Sequence, residues 1–448
     1  MKPLPRLVGF AIAAALVACS RPATPSPPAT PVPPATATAR PPASVTPRPP
    51  ATRTAAPPTA TPLPPAHHLA VRVIDGVGQF YDQRTGAKFV PRGNNYIRLA
   101  QQTRDDGTTT FGHALFDPGK YDSGRVAADL SNMHAAGYNV IRVFLSPDTL
   151  DAPDGGLSAA YLDNVADLLR LAQINQMYVI FTLDWIPGGK YGELLSADCC
   201  ETFALFNANL LPPAGLKANQ VFYQDFIRGL LARGAHTEHV FSYQLRNELF
   251  YDGDQPPLSL NSGQVATANG QTYDLSSAAA KEQMVADNLV YWIDAMRASI
   301  LAVDPTALVS VGFFQPQGPN PTRLGDPRLA VTAPAIWQST ADFIDLHAYA
   351  GGELTLPQYV ENYGMAGMMV KPIIMGEFGG EVGRFVNITD AAITFMNWQV
   401  ESCRLGFDGW LFWTWDTDEQ PDFFNILMAQ GAINGVLAPV ARPDPCST

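Results

Sequence analysis

Acidic residues are absent from the first 66 positions of this 448-residue chain, and cysteine is scarce throughout, with five in all. Nothing among the cysteines and histidines has the spacing of a metal site, so neither a zinc-built fold nor metal chemistry is expected. No short repeat is visible. Beyond the N-terminal segment, no stretch reaches the roughly 18 consecutive apolar residues that a membrane-spanning helix needs. The basic side is thin where it would matter. Of 29 Lys and Arg, 6 precede His67, whereas all 41 Asp and Glu follow it, leaving His67 to Thr448 with a net charge of −18. So acidic a chain is a poor partner for nucleic acid or an anionic polysaccharide, while a neutral glycan would be indifferent to it.

What is present begins with an address. Lys2 and Arg6 precede the apolar run Leu7 to Ala18, which is too short to span a bilayer as a mature helix. The run closes in Leu16-Val17-Ala18-Cys19, then Ser20. This resembles the lipobox of bacterial lipoproteins, which implies lipidation of Cys19 and an extracytoplasmic protein anchored to the membrane; an ordinary signal peptide is the alternative. Ser20 to Ala66 holds 17 of the chain's 40 prolines among Ala and Thr. It lacks apolar bulk to bury and reads as a linker of extended polyproline character, reaching on the order of 140 Å at about 3.1 Å per residue. The four cysteines that remain, Cys199, Cys200, Cys403 and Cys446, permit two disulfides in an exported protein. A Cys403–Cys446 bridge could pin the C-terminal tail, leaving Cys199 and Cys200 as a vicinal pair or as thiols.

The part from His67 to Thr448 opens with a small β-hairpin around Val71–Ile74 and Gly78–Tyr81. Eight apolar, β-branched runs follow: Phe89–Leu99, Asn139–Ser146, Tyr178–Trp185, Val240–Leu249, Leu308–Phe314, Phe343–Tyr349, Pro372–Phe378 and Gly409–Asp416. Nearly continuous apolar runs suit parallel strands buried on both faces. Helical patterns lie between them, at Ser123–Ala136, Ala159–Gln173, Gln220–Ala232, Ser276–Leu301 and Ala391–Leu405. Strand–helix alternation counted to eight predicts a (β/α)8 barrel, with loop insertions at the face that carries the site. Asp252 to Asp274 is too polar and Gly-rich for a helix and reads as one such insertion above strand 4.

Barrel chemistry sits at the C-terminal ends of the strands. The fourth run ends Gln244-Leu245-Arg246-Asn247-Glu248, and the seventh ends Ile374-Met375-Gly376-Glu377-Phe378. Either glutamate alone could be a structural strand-end residue. Together, on strands 4 and 7, they resemble the glycoside hydrolase clan of 4/7 barrels, most closely family 5 with its cellulases and mannanases. The resemblance runs from Gly93-Asn94-Asn95-Tyr96 to Trp413-Thr414-Trp415.

It implies a retaining glycosidase, acting on a β-linked neutral polysaccharide or oligosaccharide of glucan or mannan type, as a monomer without organic cofactor or metal. Glu248 would be the acid/base and Glu377 the nucleophile, about 5–5.5 Å apart, with pKa values separated by mutual repulsion and uneven hydrogen bonding. Asn247 would bond the sugar 2-hydroxyl. Arg142, a charge inside the apolar run Val140–Phe144, must be paired there, and the resemblance places it beside the nucleophile, keeping it ionised. Tyr349 would orient Glu377, and His347, two residues before it on one strand face, would meet the sugar or Glu248. Trp413 and Trp415 would share a face on strand 8, Trp413 being the one that stacks on the sugar, with the other a candidate for the core. Asp184-Trp185 departs from the histidine often found near that position, so its role stays open, with Trp185 a candidate cleft wall; Asn95 and Tyr96 close strand 1. Two other readings remain: an exo-acting, β-galactosidase-like member of another 4/7 family, and a non-catalytic carbohydrate-binding lipoprotein.

Overall fold

Eight of the apolar runs become strands of one parallel sheet in the computed structural model, which describes residues 64–103, 107, 109–153, 155–198, 202–313, 328–329, 337–352 and 354–447. They are β1 (Arg92–Asn95), β2 (Val140–Leu145), β3 (Tyr178–Leu183), β4 (Val240–Gln244), β5 (Val309–Ser310 with Gly312–Phe313), β6 (Ile344–Tyr349), β7 (Ile373–Gly379) and β8 (Gly409–Phe412). Every residue of β2, β3, β4 and β7 is buried. Continuous apolar composition is thus what two covered faces demand. Cys19, the linker up to residue 63, Cys199 and Cys200 lie outside the described residues.

The sheet closes on itself. Hydrogen-bonded order runs from Val309–Ser310 through β4, β3, β2, β1, β8, β7 and β6 back to Gly312–Phe313. Its two ends are halves of one strand: Val309 pairs with Tyr243 on β4, and Gly312 with Asp345 on β6. The result is an eight-stranded barrel, the expected architecture. The closest approach is at Gly93 on β1, where a Cβ would stand 1.8 Å from the carbonyl oxygen of Val140.

Helices follow the strands: α1 (Ser123–Ala135), α2 (Ala159–Ile174), α3 (Pro213–Leu231), α4 (Ala278–Leu301), α5 (Leu356–Asn362) and α6 (Ile388–Arg404). Their starts are written in the sequence. Asp122, Ser158, Ser277 and Asn387 each accept a backbone N–H of the first turn, satisfying donors that a helix leaves orphaned. Helix α3 begins seven residues earlier than its periodicity suggests, with Pro213 in its first turn, where a missing N–H costs nothing.

The predicted N-terminal hairpin pairs Leu69–Ile74 with Val77–Asp82. It plugs the bottom of the barrel: Phe80 is fully buried, with ring centroids 5.1 Å from Phe241 and 5.2 Å from Phe343. Toward the C-terminus of the chain, Cys403 of α6 and Cys446 form a disulfide, fastening the C-terminal tail, and Arg92 of β1 donates to the carbonyls of Leu437 and Arg442.

One reading of the strands needed correction. The run Phe89–Leu99 is not one strand. β1 ends at Asn95, and Leu99–Thr103 pairs antiparallel with Thr109–His113 as a separate hairpin. Tyr96, Ile97 and Leu99 carry apolar character past Asn95, so the run was read through the break. The stretch Asp252 to Asp274 is non-helical as expected, but it contains a small ladder, Gln264–Ala266 with Thr272–Asp274.

Substituting Gly93→Ala should cost about 1–3 kcal/mol or more, because backbone has to move to admit the methyl group. Gly192→Ala, in the helix Gly189–Leu195 with nothing within 4 Å of the new atom, should be neutral or stabilising by up to about 1 kcal/mol. Urea midpoints that shift equally for both would contradict the close β1–β2 contact.

Candidate active site

The end of β4 does not simply stop. Beyond Gln244 the backbone stays tied to its neighbours, Leu245 N–H to Ser310 O, Asn247 N–H to Leu183 O and Leu249 N–H to Gly312 O. Between these ties Glu248 adopts φ +35°, a region that side chains other than glycine rarely enter. Such a conformation persists only where its surroundings hold it, and it is commonest at functional sites. It turns the Glu248 side chain toward the barrel mouth with 30 % of its surface open.

Glu377 lies three strands away, on β7, in register beside His347 of β6. Its side chain is 5 % exposed. Arg142 Nη1 donates to Oε1 at 2.6 Å, and the Tyr349 hydroxyl donates to Oε2 at 2.6 Å. Burial and the adjacent Glu377 charge push the Tyr349 hydroxyl well above its usual range, so it remains a donor.

Arg142 is fully buried and uses all five of its N–H donors. Besides Glu377, they reach Asn95 Oδ1 at 2.9 Å, Gln244 Oε1 at 2.9 and 2.7 Å, and Asn247 Oδ1 at 2.6 Å. Gln244 in turn donates to Asp345, which also accepts from Gly376 N–H at 2.8 Å. Gly376 is required there, since a Cβ would fall 2.1 Å from Asp345 Oδ1. Asn247 Nδ2 donates to Asp184 Oδ1 at 2.9 Å, so both ends of that amide are fixed.

His347 Nδ1 stands 3.1 Å from Glu248 Oε1 and 3.5 Å from Glu377 Oε2. Burial lowers its pKa, partly offset by Glu377 and Asp345. One ligand atom from each of Glu248, His347 and Glu377 falls within 4.8 Å of the others. That spacing would admit a cation, but Arg142 already neutralises Glu377, which disfavours a second positive charge.

Most of the predicted residues therefore converge. Glu248, Glu377, Asn247, Arg142, His347 and Tyr349 form one connected cluster, and Asn95 belongs to it more firmly than its place in the motif suggested. Trp413, 8 % exposed, packs edge-on against Phe144 beside it. Trp415 does not share that position: it is 2 % exposed, and packs against Tyr138 in the core. The i, i+2 rule fails because β8 ends at Phe412, so the alternation no longer applies. Tyr96 is also core, bonded to Asp129. Trp185 packs against Phe206, ring centroids 4.0 Å apart, and the guanidinium of Arg246 lies against both rings, 4.4 Å from the Trp185 centre.

Three residues were missed. Asp345 and Gln244 sit inside apolar strands as Arg142 does, and the same argument about buried polar groups would have found them. His113 arrives on the unrecognised hairpin, stacked on Phe144, and no local signal marks it.

With this geometry in place, the comparisons with known proteins can be set beside it. Residues 104–419 match the model of the family described as Cellulase (glycosyl hydrolase family 5). The solved structures that resemble the fold include the exo-β-1,4-mannosidase Op5Man5 from Opitutaceae bacterium strain TAV5, at 20 % identity and TM-score 0.55 over 83 % of this chain; the match spans only 62 % of that enzyme. They also include the endo-1,4-β-mannanase from Rhizomucor miehei, at 16 % identity and TM-score 0.55 over 84 % of this chain and 100 % of that one. The endo-β-1,4-mannanase from Thermotoga petrophila gives 15 % identity and TM-score 0.52 over 80 % and 78 %. No curated protein matches by sequence.

Burial holds the His113 pKa down at about 4, with Arg142 acting in the same sense and Asp184 opposing. Unfolded, the ring returns to about 6.5, so the unfolded chain binds more protons between these values and stability falls as pH drops through that window. The loss from this residue should approach about 2 kcal/mol between pH 7.5 and pH 5. Urea titrations of the wild type and His113→Gln at both pH values test this: the variant should lose less, and parallel losses would exclude the effect.

Proposed function

The chain belongs to glycosyl hydrolase family 5, and from that premise we propose that it cleaves a β-1,4-linked neutral glycan of mannan type with retention, using Glu248 and Glu377. The observation that carries the reading is the pair of carboxylates, with one oxygen of each within 4.8 Å of the other. Retaining glycosidases hold their carboxyl groups ~5–5.5 Å apart, whereas inverting ones need roughly 6.5–9.5 Å to admit a water.

Their surroundings divide the labour. Glu377, buried and gripped at both oxygens, is aimed for attack on the anomeric carbon, forming a glycosyl-enzyme as the bond to the leaving oxygen breaks. Glu248, open to the cleft and backed by His347, gives the proton to that oxygen. It then takes one from the water that attacks the anomeric carbon and releases Glu377. Asn247, fixed by Arg142 and Asp184, offers its remaining amide hydrogen to the 2-hydroxyl, a contact that strengthens as the oxocarbenium-like transition state forms. Trp413 supplies an apolar wall for the sugar ring.

Mannan is favoured over other β-glycans because the similar structures named above are mannan- or mannoside-cleaving enzymes. A non-catalytic binder would have no use for two carboxylates brought together in this way. We carry the lipid anchor at Cys19 in the same proposal, since it would hold the enzyme outside the cell where a polymer can reach it. Fatty-acid labelling that persists in Cys19→Ser would remove it.

Glu248→Gln and Glu377→Gln should each lower kcat by at least about 10²–10⁴-fold with unchanged circular dichroism, and proton NMR should show the β-anomer released first. Full activity of both variants on mannan, cellulose, xylan and mixed-linkage glucan would overturn the assignment. An initial α-anomer would overturn retention alone.

A further inference from the structure

The hairpin Leu99–His113 brings to the cleft a side chain that the mechanism above does not use. The His113 ring lies flat on Phe144, centroids 3.8 Å apart and planes 12° from parallel. Its Nε2 faces Asp184 Oδ2 at 3.9 Å. The other oxygen of Asp184 accepts from Asn247, so Asp184 is the next polar group along the wall. Both side chains keep part of their surface open, 18 % for His113 and 27 % for Asp184. His113 Nδ1 is buried with no hydrogen-bond partner among the described residues. A bare acceptor is tolerated in such a place better than an orphaned N–H, so the proton of the neutral ring belongs on Nε2, facing the carboxylate.

An N–H and a carboxylate oxygen 3.9 Å apart are too distant to bond directly. The gap does suit one hydroxyl oxygen placed about 2.8 Å from each, accepting from Nε2–H and donating to Oδ2. We infer that His113 and Asp184 form a clamp for a single sugar hydroxyl, the 3-hydroxyl of the residue whose 2-hydroxyl meets Asn247. The inference rests on the proposed function, which places that 2-hydroxyl. Of the two ring carbons adjoining C2, C1 faces the glutamates, and the hydroxyl on the other side is the one at C3. Asp184 is bonded to Asn247 and lies one hydrogen bond further along.

The clamp has a consequence for substrate choice. It needs a free 3-hydroxyl on the sugar at the cleavage point. A chain joined through that oxygen, as in a β-1,3-glucan, is refused there, while a β-1,4-linked chain leaves it unsubstituted. The hairpin carrying His113 thus selects the linkage.

The test uses the full chain and aryl β-1,4-disaccharides built from whichever sugar the glycan screen identifies. The ring bearing the aryl group is intact, 2-deoxy or 3-deoxy. For the wild type, kcat/KM should fall about 10²-fold or more on the 3-deoxy substrate, since a site built to bond a hydroxyl rejects the analogue lacking it. In His113→Ala the intact substrate should fall by a comparable factor while the 3-deoxy substrate barely changes, and in both His113→Ala and Asp184→Asn the 3-deoxy penalty should shrink at least about tenfold. The 2-deoxy penalty should persist in His113→Ala, which a general loss of folding or activity would not reproduce. An unchanged 3-deoxy penalty in both variants, with measurable turnover, overturns the clamp and leaves the proposed function standing. No turnover of any intact substrate by the wild type would overturn the proposed function and the clamp with it.

Discussion

A guanidinium with no exposed surface sits at the centre of the barrel mouth, and every group around it is placed to answer its charge. Arg142 presents five donors in a rigid plane, and its bonds end on side chains from β1, from β4 and the turn beyond it, and from β7. A buried charge that loses a partner costs several kcal/mol. The acceptors therefore have little freedom to wander, and the planar fork fixes their mutual spacing. Glu377 is held by Arg142 directly. Glu248 is held more indirectly, by the turn in which the preceding residue, Asn247, is one of the five bonds' endpoints.

The constraint extends downward as well. Gln244 meets Arg142 with its carbonyl oxygen, so its amide must find an acceptor, and Asp345 is that acceptor. Burial raises the Asp345 pKa, opposed by the charges of His347 and Arg142. Its second oxygen takes the Gly376 N–H immediately before Glu377, and glycine is the residue that lets it come so near. Chemistry at the surface of the cleft thus depends on a polar layer inside the barrel, one layer below the reacting groups.

This also explains what the sequence disclosed. Strands buried on both faces announce themselves by continuous apolar composition, and a charge within one, such as Arg142, stands out because burial forbids it without a partner. Glu248 and Glu377 were legible for the same reason, each closing an apolar run. Asp345 obeyed that rule and was nevertheless passed over, because two more conspicuous residues, His347 and Tyr349, follow it. Trp415 was misplaced because strand alternation was extended beyond the point where the strand ends. The break at Asn95 was hidden for a different reason: Tyr96, Ile97 and Leu99 resume apolar character straight after it, and tertiary pairing is what separates the strand from the next hairpin.

Residues on strands and residues on loops differ here in how they are determined. A strand residue inherits its direction from the pleat and its neighbours from the register, so counting locates it. His113 has neither aid. It is separated from Asp184 by 71 positions and reaches it only because its hairpin folds back and its ring finds the face of Phe144, the residue two beyond Arg142 on β2. The same ring also meets the Arg142 guanidinium, whose carbon lies 4.7 Å from the Phe144 ring centre. The scaffold that fixes the charged cluster consequently also offers a flat apolar surface at its rim, on which a loop can seat a polar group without disturbing the five bonds beneath. Rim and cluster can then change separately. Substitution on the hairpin alters which hydroxyl is met, whereas substitution among the partners of Arg142 alters whether the glutamates face each other at all.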